Sequence, residues 1–439
     1  MNRPSFIFIL ADDLGYADLG CYGGRHAGLT GVPPSCSPNL DRLAAEGLRF
    51  TDGYSNSAVC SPTRFALATG RYQYRLRGAA DEPIASRTAR GNPELGLPPE
   101  HPTLASLLRD AGYATSLIGK WHLGFPPHFG PLKSGYQEFF GPMSGGVDYF
   151  RHCDSGGKHD LYDGEEEVRR EGYLTDLLSE RAAQFVRRQK GRPFLLSLHY
   201  TAPHWPWETR EDQAESRRIA DIAHADGGSV QTYFTMIRQM DEGIGRVLAA
   251  LDESGARQDT MVVFSSDNGG ERFSDTWPLV GKKMDLLEGG IRVPYIARWP
   301  RGFAAGRTTT QAAITMDWVA TFLDAAGVAP HPAYPLDGIS LLREPGAREL
   351  FWRMKFRDQK AVRAGAWKWL SIGGYEYLFD LSRDQRERAN LSRRHPEKLA
   401  ELQARYLAWE ASLPPIPEDA RVSLVGGPAE MPQPTHAEL

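Results

Sequence analysis

The chain has 439 residues, 41% of them hydrophobic and 24% charged, with a formal net charge of -4. That length exceeds one simple core, so two domains are expected. Both signs of charge are well mixed, which argues against a nucleic acid or a membrane as partner. The four cysteines, Cys21, Cys36, Cys60 and Cys153, show no C-x-x-C spacing and no obvious disulfide framework, so reduced cytosolic thiols are the simpler reading.

Met1 to Pro4 leads straight into apolar sequence without a basic and apolar leader. This gives a cytoplasmic expectation, although a mature periplasmic or secreted chain would look the same. No apolar run is long enough to span a bilayer. Phe6 to Ala11 is continuous apolar sequence, the mark of a strand buried on both faces, and it stops at Asp12-Asp13. In parallel α/β sheets ligands sit beyond the carboxyl ends of strands. Two adjacent carboxylates there repel unless a cation lies between them, and a hard divalent ion needs such oxygens. Ser37-Pro38 reads as a helix start, with Leu40, Leu43 and Leu48 on one face.

The most informative stretch is Val59 to Tyr72, VCSPTRFALATGRY. Pro62 suits a first helical turn, and Gly70 can end the helix. Cys60 then lies just ahead of a helix N-terminus, where free N–H groups favour an anion. Arg64 adds a planar cation one turn along, suited to an oxyanion.

Residues 75–101 are expected to be irregular, followed by a short helix over 103–110 and a strand over 114–118. That strand runs into Lys120 and His122, two apart on an extended chain and so able to face one site. Residues 125–171 read as loop, with Asp148, Tyr149 and His152 as candidate pocket residues. A helix over about 175–189 precedes a third buried strand, 193–200, which runs into Pro203-His204-Trp205-Pro206. Flanking prolines hold His204 in place, as a proton-transfer group requires. Charged residues 208–218 read as a solvated insertion, and 230–251 as a core-facing helix.

A fourth strand, 261–266, ends in Asp267-Asn268, and Lys282-Lys283 and Glu288 to Pro294 follow. Four strands thus end in titratable or metal-binding groups. A helix over about 315–327 comes next. Past about 333 short alternating runs predict an antiparallel sheet, then a helix over about 396–411. The tail from Pro414 reads as loosely ordered.

Together these motifs resemble the type I, formylglycine-dependent sulfatases. Cys60-Ser61-Pro62-Thr63-Arg64 with Leu67 and Thr69-Gly70-Arg71 matches the family's maturation signal. Asp12-Asp13, Gly119 to Gly124, Pro203 to Pro206, Asp267 to Gly269, Glu288 to Arg292, and Tyr377 to Leu381 through Leu391 look like family motifs in family order. The resemblance implies an alkaline-phosphatase-like α/β sandwich. It would have a large, mixed but mostly parallel sheet between helices, and a smaller C-terminal antiparallel sheet with a helix. The implied boundary puts a catalytic domain at 1–332 and a C-terminal subdomain at 333–439.

The resemblance also implies roles. Cys60, oxidised to formylglycine and hydrated to a gem-diol, would be the nucleophile. Asp12, Asp13, Asp267 and Asn268, with Cys60 beside them, would hold Ca²⁺, with Mg²⁺ as the alternative. Arg64, Lys120 and Lys283 would balance the anion; Lys283 is preferred to Lys282 for its spacing to Glu288. Asp267 would help deprotonate the attacking hydroxyl, and His204 and Lys283 would protonate the leaving alcohol. His122 would assist collapse of the sulfated hemiacetal. The implied partners are a sulfate ester, small or saccharide, and the formylglycine-generating enzyme during maturation. Trp205, Trp207, Tyr149 and His152 are candidate rim contacts. Two competing readings are a phosphodiester or phosphonate monoester hydrolase of the same superfamily, and a non-catalytic sulfate- or glycan-binding protein on this scaffold.

Overall fold

Alternation within the first strand, Ser5–Ala11, sets the architecture: Ile7, Ile9 and Ala11 enter one apolar core, Phe6, Phe8 and Leu10 another. A strand buried on both faces needs helices on both. The computed structural model describes residues 3–24, 35–343 and 346–423. On the first face lie helices Leu174–Arg188 and Val230–Glu253, contributing Leu178, Phe185, Ile237, Met240 and Ile244. On the second lie Cys60–Thr69, Leu104–Asp110 and Asp317–Ala326; Phe322 stacks on Phe6 with ring centroids 4.5 Å apart. Each large apolar side chain buried this way contributes about 1.5–3 kcal/mol.

The sheet has ten strands. Ser5–Ala11 pairs in parallel with Phe194–His199 on one side and Thr260–Ser266 on the other, and Ala114–Gly119 extends the parallel set. The register aligns their ends: Leu10 and Gly119 both lie opposite His199, and Ala11 lies opposite Ser266. Four chain segments therefore leave the sheet along one edge. The flanks are mixed. Tyr295–Arg298 runs antiparallel to Thr260–Ser266, and Leu48–Phe50 and Arg307–Thr309 lie beyond it. The smaller C-terminal sheet is an antiparallel meander of Glu349–Met354, Gln359–Ala364, Trp367–Ile372 and Tyr375–Asp380. Helix Pro396–Glu410 covers it with Leu402 and Tyr406. Among the described residues no helix is long and apolar enough to cross a membrane.

Several local expectations need correction. Leu48 opens a strand instead of closing the Pro38–Ala45 helix. The supposed loop 125–171 contains strands Glu138–Gly141, Tyr162–Asp163 and Glu166–Glu167. Glu208 is fully buried and accepts the Tyr149 N–H at 2.7 Å, so residues 208–218 are not simply solvated. Leu407 faces solvent, and Tyr406 takes the core position beside Leu402. The expected loose tail is bonded from Pro414 to Ser423, and its remainder lies outside the described residues.

Candidate active site

Cys60 is itself the first residue of its helix, with Val59 as the extended cap, one position earlier than expected. Pro62 sits in the first turn, where no N–H partner is lost. Gly70 closes the helix in the left-handed conformation, φ +70°, which glycine adopts without a Cβ penalty. The helix start aims Cys60 at the aligned strand ends. Its thiol is 1% exposed, and burial pushes it up to about 11, opposed by Lys120 and Lys283.

The strand ends supply the rest. Asp12 and Asp13 follow Ser5–Ala11, Lys120 and His122 follow Ala114–Gly119, His204 follows Phe194–His199, and Asp267 and Asn268 follow Thr260–Ser266. All of these side chains are buried, as are Arg64 and Lys283. Arg64 donates to Asp267 Oδ2 from Nε at 3.0 Å and from a terminal nitrogen at 2.7 Å, and to the Lys120 carbonyl at 3.1 Å. Lys120 Nζ donates to Asp12 Oδ2 at 2.5 Å, and Lys283 Nζ to Asp13 Oδ2 at 2.7 Å. Burial raises the Asp13 and Asp267 carboxyls, but Lys283 and Arg64 at these distances keep both as ion pairs. Burial opposes the Lys283 charge too, yet Asp13 and Glu271 outweigh it and hold the ammonium well above its ordinary range.

The two histidines differ in tautomer. His122 Nε2 donates to the Ile84 carbonyl at 2.8 Å, leaving Nδ1 as a buried lone pair without a partner among the described residues. His204 Nδ1 donates to the Trp205 carbonyl at 2.7 Å, so Nε2 faces Lys283 Nζ at 3.4 Å and Asp13 at 3.5 Å. Burial, then Lys283, pulls His204 down to about 3; burial, then Lys120, pulls His122 well below 6.5. Both rings are neutral near pH 7. Asp13 and His122 adopt φ +62° and +59°, a left-handed backbone that costs on the order of 1–3 kcal/mol in a non-glycine residue.

The donor set fits a hard divalent ion. Ligand atoms of Asp12, Cys60 and Asp267 lie within 4.8 Å of one another, as do those of Asp12, Asp13 and His204. Among the described residues nothing hydrogen-bonds Asp12 Oδ1 or Asn268 Oδ1, both buried, and such oxygens are costly unless something binds them. Carboxylate and amide oxygens suit Ca²⁺ or Mg²⁺ better than softer metals.

Sequence reasoning missed several supports. The Ile84 carbonyl and the Ser61 hydroxyl, which accepts the Ile84 N–H at 2.9 Å, hold the His122 side of the site. A Cβ on Gly145 would come within 2.4 Å of the His122 ring, and one on Gly146 within 3.1 Å of His204. The Gly-Gly pair was a legible signal of close backbone approach; a carbonyl contact leaves none. The suggested rim residues need correction. Tyr149 is fully buried and donates its hydroxyl to the His204 carbonyl at 3.0 Å. Trp207 is buried against Phe273 and Arg272. His152 is buried, and Asp148 accepts N–H bonds from Arg151 and Cys153, so both shape the loop itself. Trp205 stays beside the site as a ring, with Lys283 5.8 Å from its centroid, whereas Tyr149 supports the site from behind through the His204 carbonyl.

A mostly parallel α/β sheet whose strand ends gather a thiol, hard oxygens and buried cations defines an anion-handling, metal-competent enzyme-like site. The family model described as Sulfatase matches residues 4–328, and the chain belongs to that family. It is 34% identical over 364 residues to the N-acetylgalactosamine-6-sulfatase of Canis lupus familiaris, covering 77% of this chain and 65% of that relative's length. It is 31% identical to Arylsulfatase A of Homo sapiens, covering 83% of this chain and 74% of the relative. The crystal structure of Ps i-CgsB in complex with k-i-k-neocarrahexaose superposes with a TM-score of 0.81 at 29% identity, covering 94% of each chain.

Proposed function

We propose that the chain hydrolyses sulfate monoesters to an alcohol or phenol and inorganic sulfate, with sulfated saccharides the first substrate class to test. The observation that carries this is the convergence of Cys60 with the Asp12 and Asp267 carboxylates within 4.8 Å, at the start of the helix bearing Arg64. The saccharide reading draws on the names of the relatives, an N-acetylgalactosamine-6-sulfatase and a carrahexaose complex.

Asp12, Asp13, Asp267 and Asn268 would hold Ca²⁺ or Mg²⁺, which when bound supplies Lewis-acid charge beside the sulfate without a proton step. Cys60, converted by a formylglycine-generating enzyme and hydrated, would supply two hydroxyls on one carbon, one to attack and one to release the sulfate. Ester cleavage moves negative charge onto the bridging oxygen. Arg64, Lys120 and Lys283 oppose that charge where it appears, each preorganised donor worth roughly 3 kcal/mol. Lys283 holds the proton for the leaving alcohol; His204, expected to share that donor role, is neutral with its proton on Nδ1, and so keeps Lys283 aligned through Nε2 instead. Asp267 accepts the proton of the attacking hydroxyl. His122 offers Nδ1 to the second hydroxyl as the sulfate departs.

Intact-peptide mass spectrometry on the Cys60 peptide, from a host with the maturation enzyme, should show the aldehyde or its hydrate. Matched aryl sulfate, phosphate diester and phosphonate substrates should rank sulfate first in kcat/KM. Cys60→Ser should at best accumulate a sulfated enzyme, because serine lacks the second hydroxyl. An unconverted thiol with no turnover, or full turnover by Cys60→Ser, would overturn the reading.

A further inference from the structure

The His122 ring is held by a backbone carbonyl, and that carbonyl belongs to a segment fixed from two directions. Toward the site, Ile84 accepts from His122 Nε2 at 2.8 Å and donates its N–H to Ser61 Oγ at 2.9 Å, next to Cys60. Away from the site, the Glu82 N–H donates to the Arg421 carbonyl at 2.8 Å, and the Ser423 N–H donates to the Glu82 carbonyl at 2.8 Å. Glu82 and Val422 thus form a parallel bridge. The Glu82 carboxylate accepts the N–H groups of Lys355 at 2.8 Å and Phe356 at 2.9 Å.

The C-terminal segment is anchored in turn. Lys355 Nζ donates to the carbonyls of Glu418 at 2.8 Å and Ala420 at 2.6 Å. Arg353 donates to the Pro414 carbonyl at 2.7 Å, and Arg77 pairs with Asp419 at 2.7 Å. Between this strap and the Cys60 helix lies a cavity of about 250 Å³ lined by Ser57, Pro62, Tyr74, Glu82, Arg353 and Pro414–Pro417. Ile84 is packed in the apolar core and tied to Ser61, whereas Glu82 borders the cavity and is placed by its polar bonds to the strap and to Lys355 and Phe356. A shift of the 82–84 segment would release the His122 ring, since only one of its nitrogens has a partner among the described residues.

We propose that the Pro414–Ser423 strap and Lys355 are positioning elements for His122: through Glu82 and Ile84 they hold its ring in the Nε2–H tautomer, with Nδ1 presented to the site. The catalytic consequence rests on the sulfatase reading above; the tautomer does not.

The test uses the full-length, metal-loaded protein and a Lys355→Met variant, which removes the strap's bonds from Lys355 Nζ and leaves every side chain placed at the site unchanged. ¹⁵N spectra of histidine-labelled protein should show His122 as a pure Nε2–H form in the wild type and as mixed tautomers in Lys355→Met. Turnover should fall about 3- to 10-fold in kcat with KM within twofold, and Lys355→Arg should restore both readouts. Thermal melting identifies a variant that fails to fold; Glu82→Gln, which keeps one acceptor oxygen, then takes its place with an intermediate effect expected. An unchanged His122 tautomer in a folded variant overturns the proposal, as does a loss confined to KM. If the wild type turns over no sulfate ester, the spectrum still decides the positioning role, so the two readings fail separately.

Discussion

Arg64 ties three strand ends together with one guanidinium. It pairs with Asp267, donates to the Lys120 carbonyl, and lies 3.8 Å from Asp12. A lysine keeps the charge but not the fork that spans these partners. Arg64→Lys is therefore expected to cost about 3 kcal/mol of stability, because Asp267 loses a buried partner, and to lower kcat/KM at least about 100-fold. Denaturant unfolding and steady-state kinetics check the two halves. Glu208 gives a pH effect away from the site. Burial, with Asp148 adding to it, raises its carboxyl from 4.5 to about 7, against the Tyr149 N–H that favours the charged form. A carboxyl raised in the folded state favours the proton there. Its contribution is complete below the ordinary glutamate range and is lost as pH rises through 7. At about 1.4 kcal/mol per unit, the loss reaches roughly 3 kcal/mol. Glu208→Gln should narrow the difference in urea stability between pH 5 and pH 8 by up to that amount. An equal offset at both pH values would contradict this.

At the scale of elements, the four central strands and the helices on each face were legible because long apolar runs and 3.6-residue periodicity carry strong signals. Phe6–Ala11 and the Val230–Glu253 helix are examples. Strands Leu48–Phe50 and Arg307–Thr309 were not, since three residues are too few for a pattern and their pairing is set by the neighbouring strands. The site was legible where it is made of side chains at strand ends. It was illegible where main-chain groups do the holding, as at Ile84, or where aromatic residues looked like rim and proved to be packing, as at Tyr149. Gly119 shows how tightly the strand ends are drawn together. It adopts φ +114°, and a Cβ there would lie 1.8 Å from the His199 carbonyl oxygen. Gly119→Ala should either push Lys120 away from Asp12 or separate the two strands. A loss of more than about 3 kcal/mol is expected, read as a lowered urea midpoint together with lost turnover. A variant with wild-type stability and activity would contradict that geometry.

Across the whole molecule, a buried charge network joins the small sheet to the 286–292 segment and to the Asp52–Tyr54 segment beside the large sheet. Lys368, from strand Trp367–Ile372, is fully buried and donates to Glu288 at 2.9 Å and to the Leu286 carbonyl at 2.7 Å, and pairs with Glu387 at 2.8 Å. Glu288 also accepts from the Tyr54 hydroxyl at 2.6 Å, while Arg292 and Arg363 meet on Asp52 at 2.5 Å each. The Glu288–Ile291 turn lies just past Lys283, so this network also fixes the far end of the site's last cation. Lys368→Met leaves Glu288 and Glu387 facing each other, and a loss of about 3–5 kcal/mol is expected. Guanidinium unfolding measures it. Replacing all three residues with apolar ones of similar volume should recover much of that loss, whereas a mild effect of Lys368→Met alone would show that the network does not hold the small sheet to the 286–292 segment.

The placement of Cys60, 1% exposed where its helix begins, also orders events in time. A maturation enzyme that must read Cys60 through Arg71 as an extended peptide would find that stretch already wound and walled in once the sheet has closed. If Cys60 is converted as proposed, this burial puts the conversion before the sheet closes, and protein folded without it should become convertible only after unfolding.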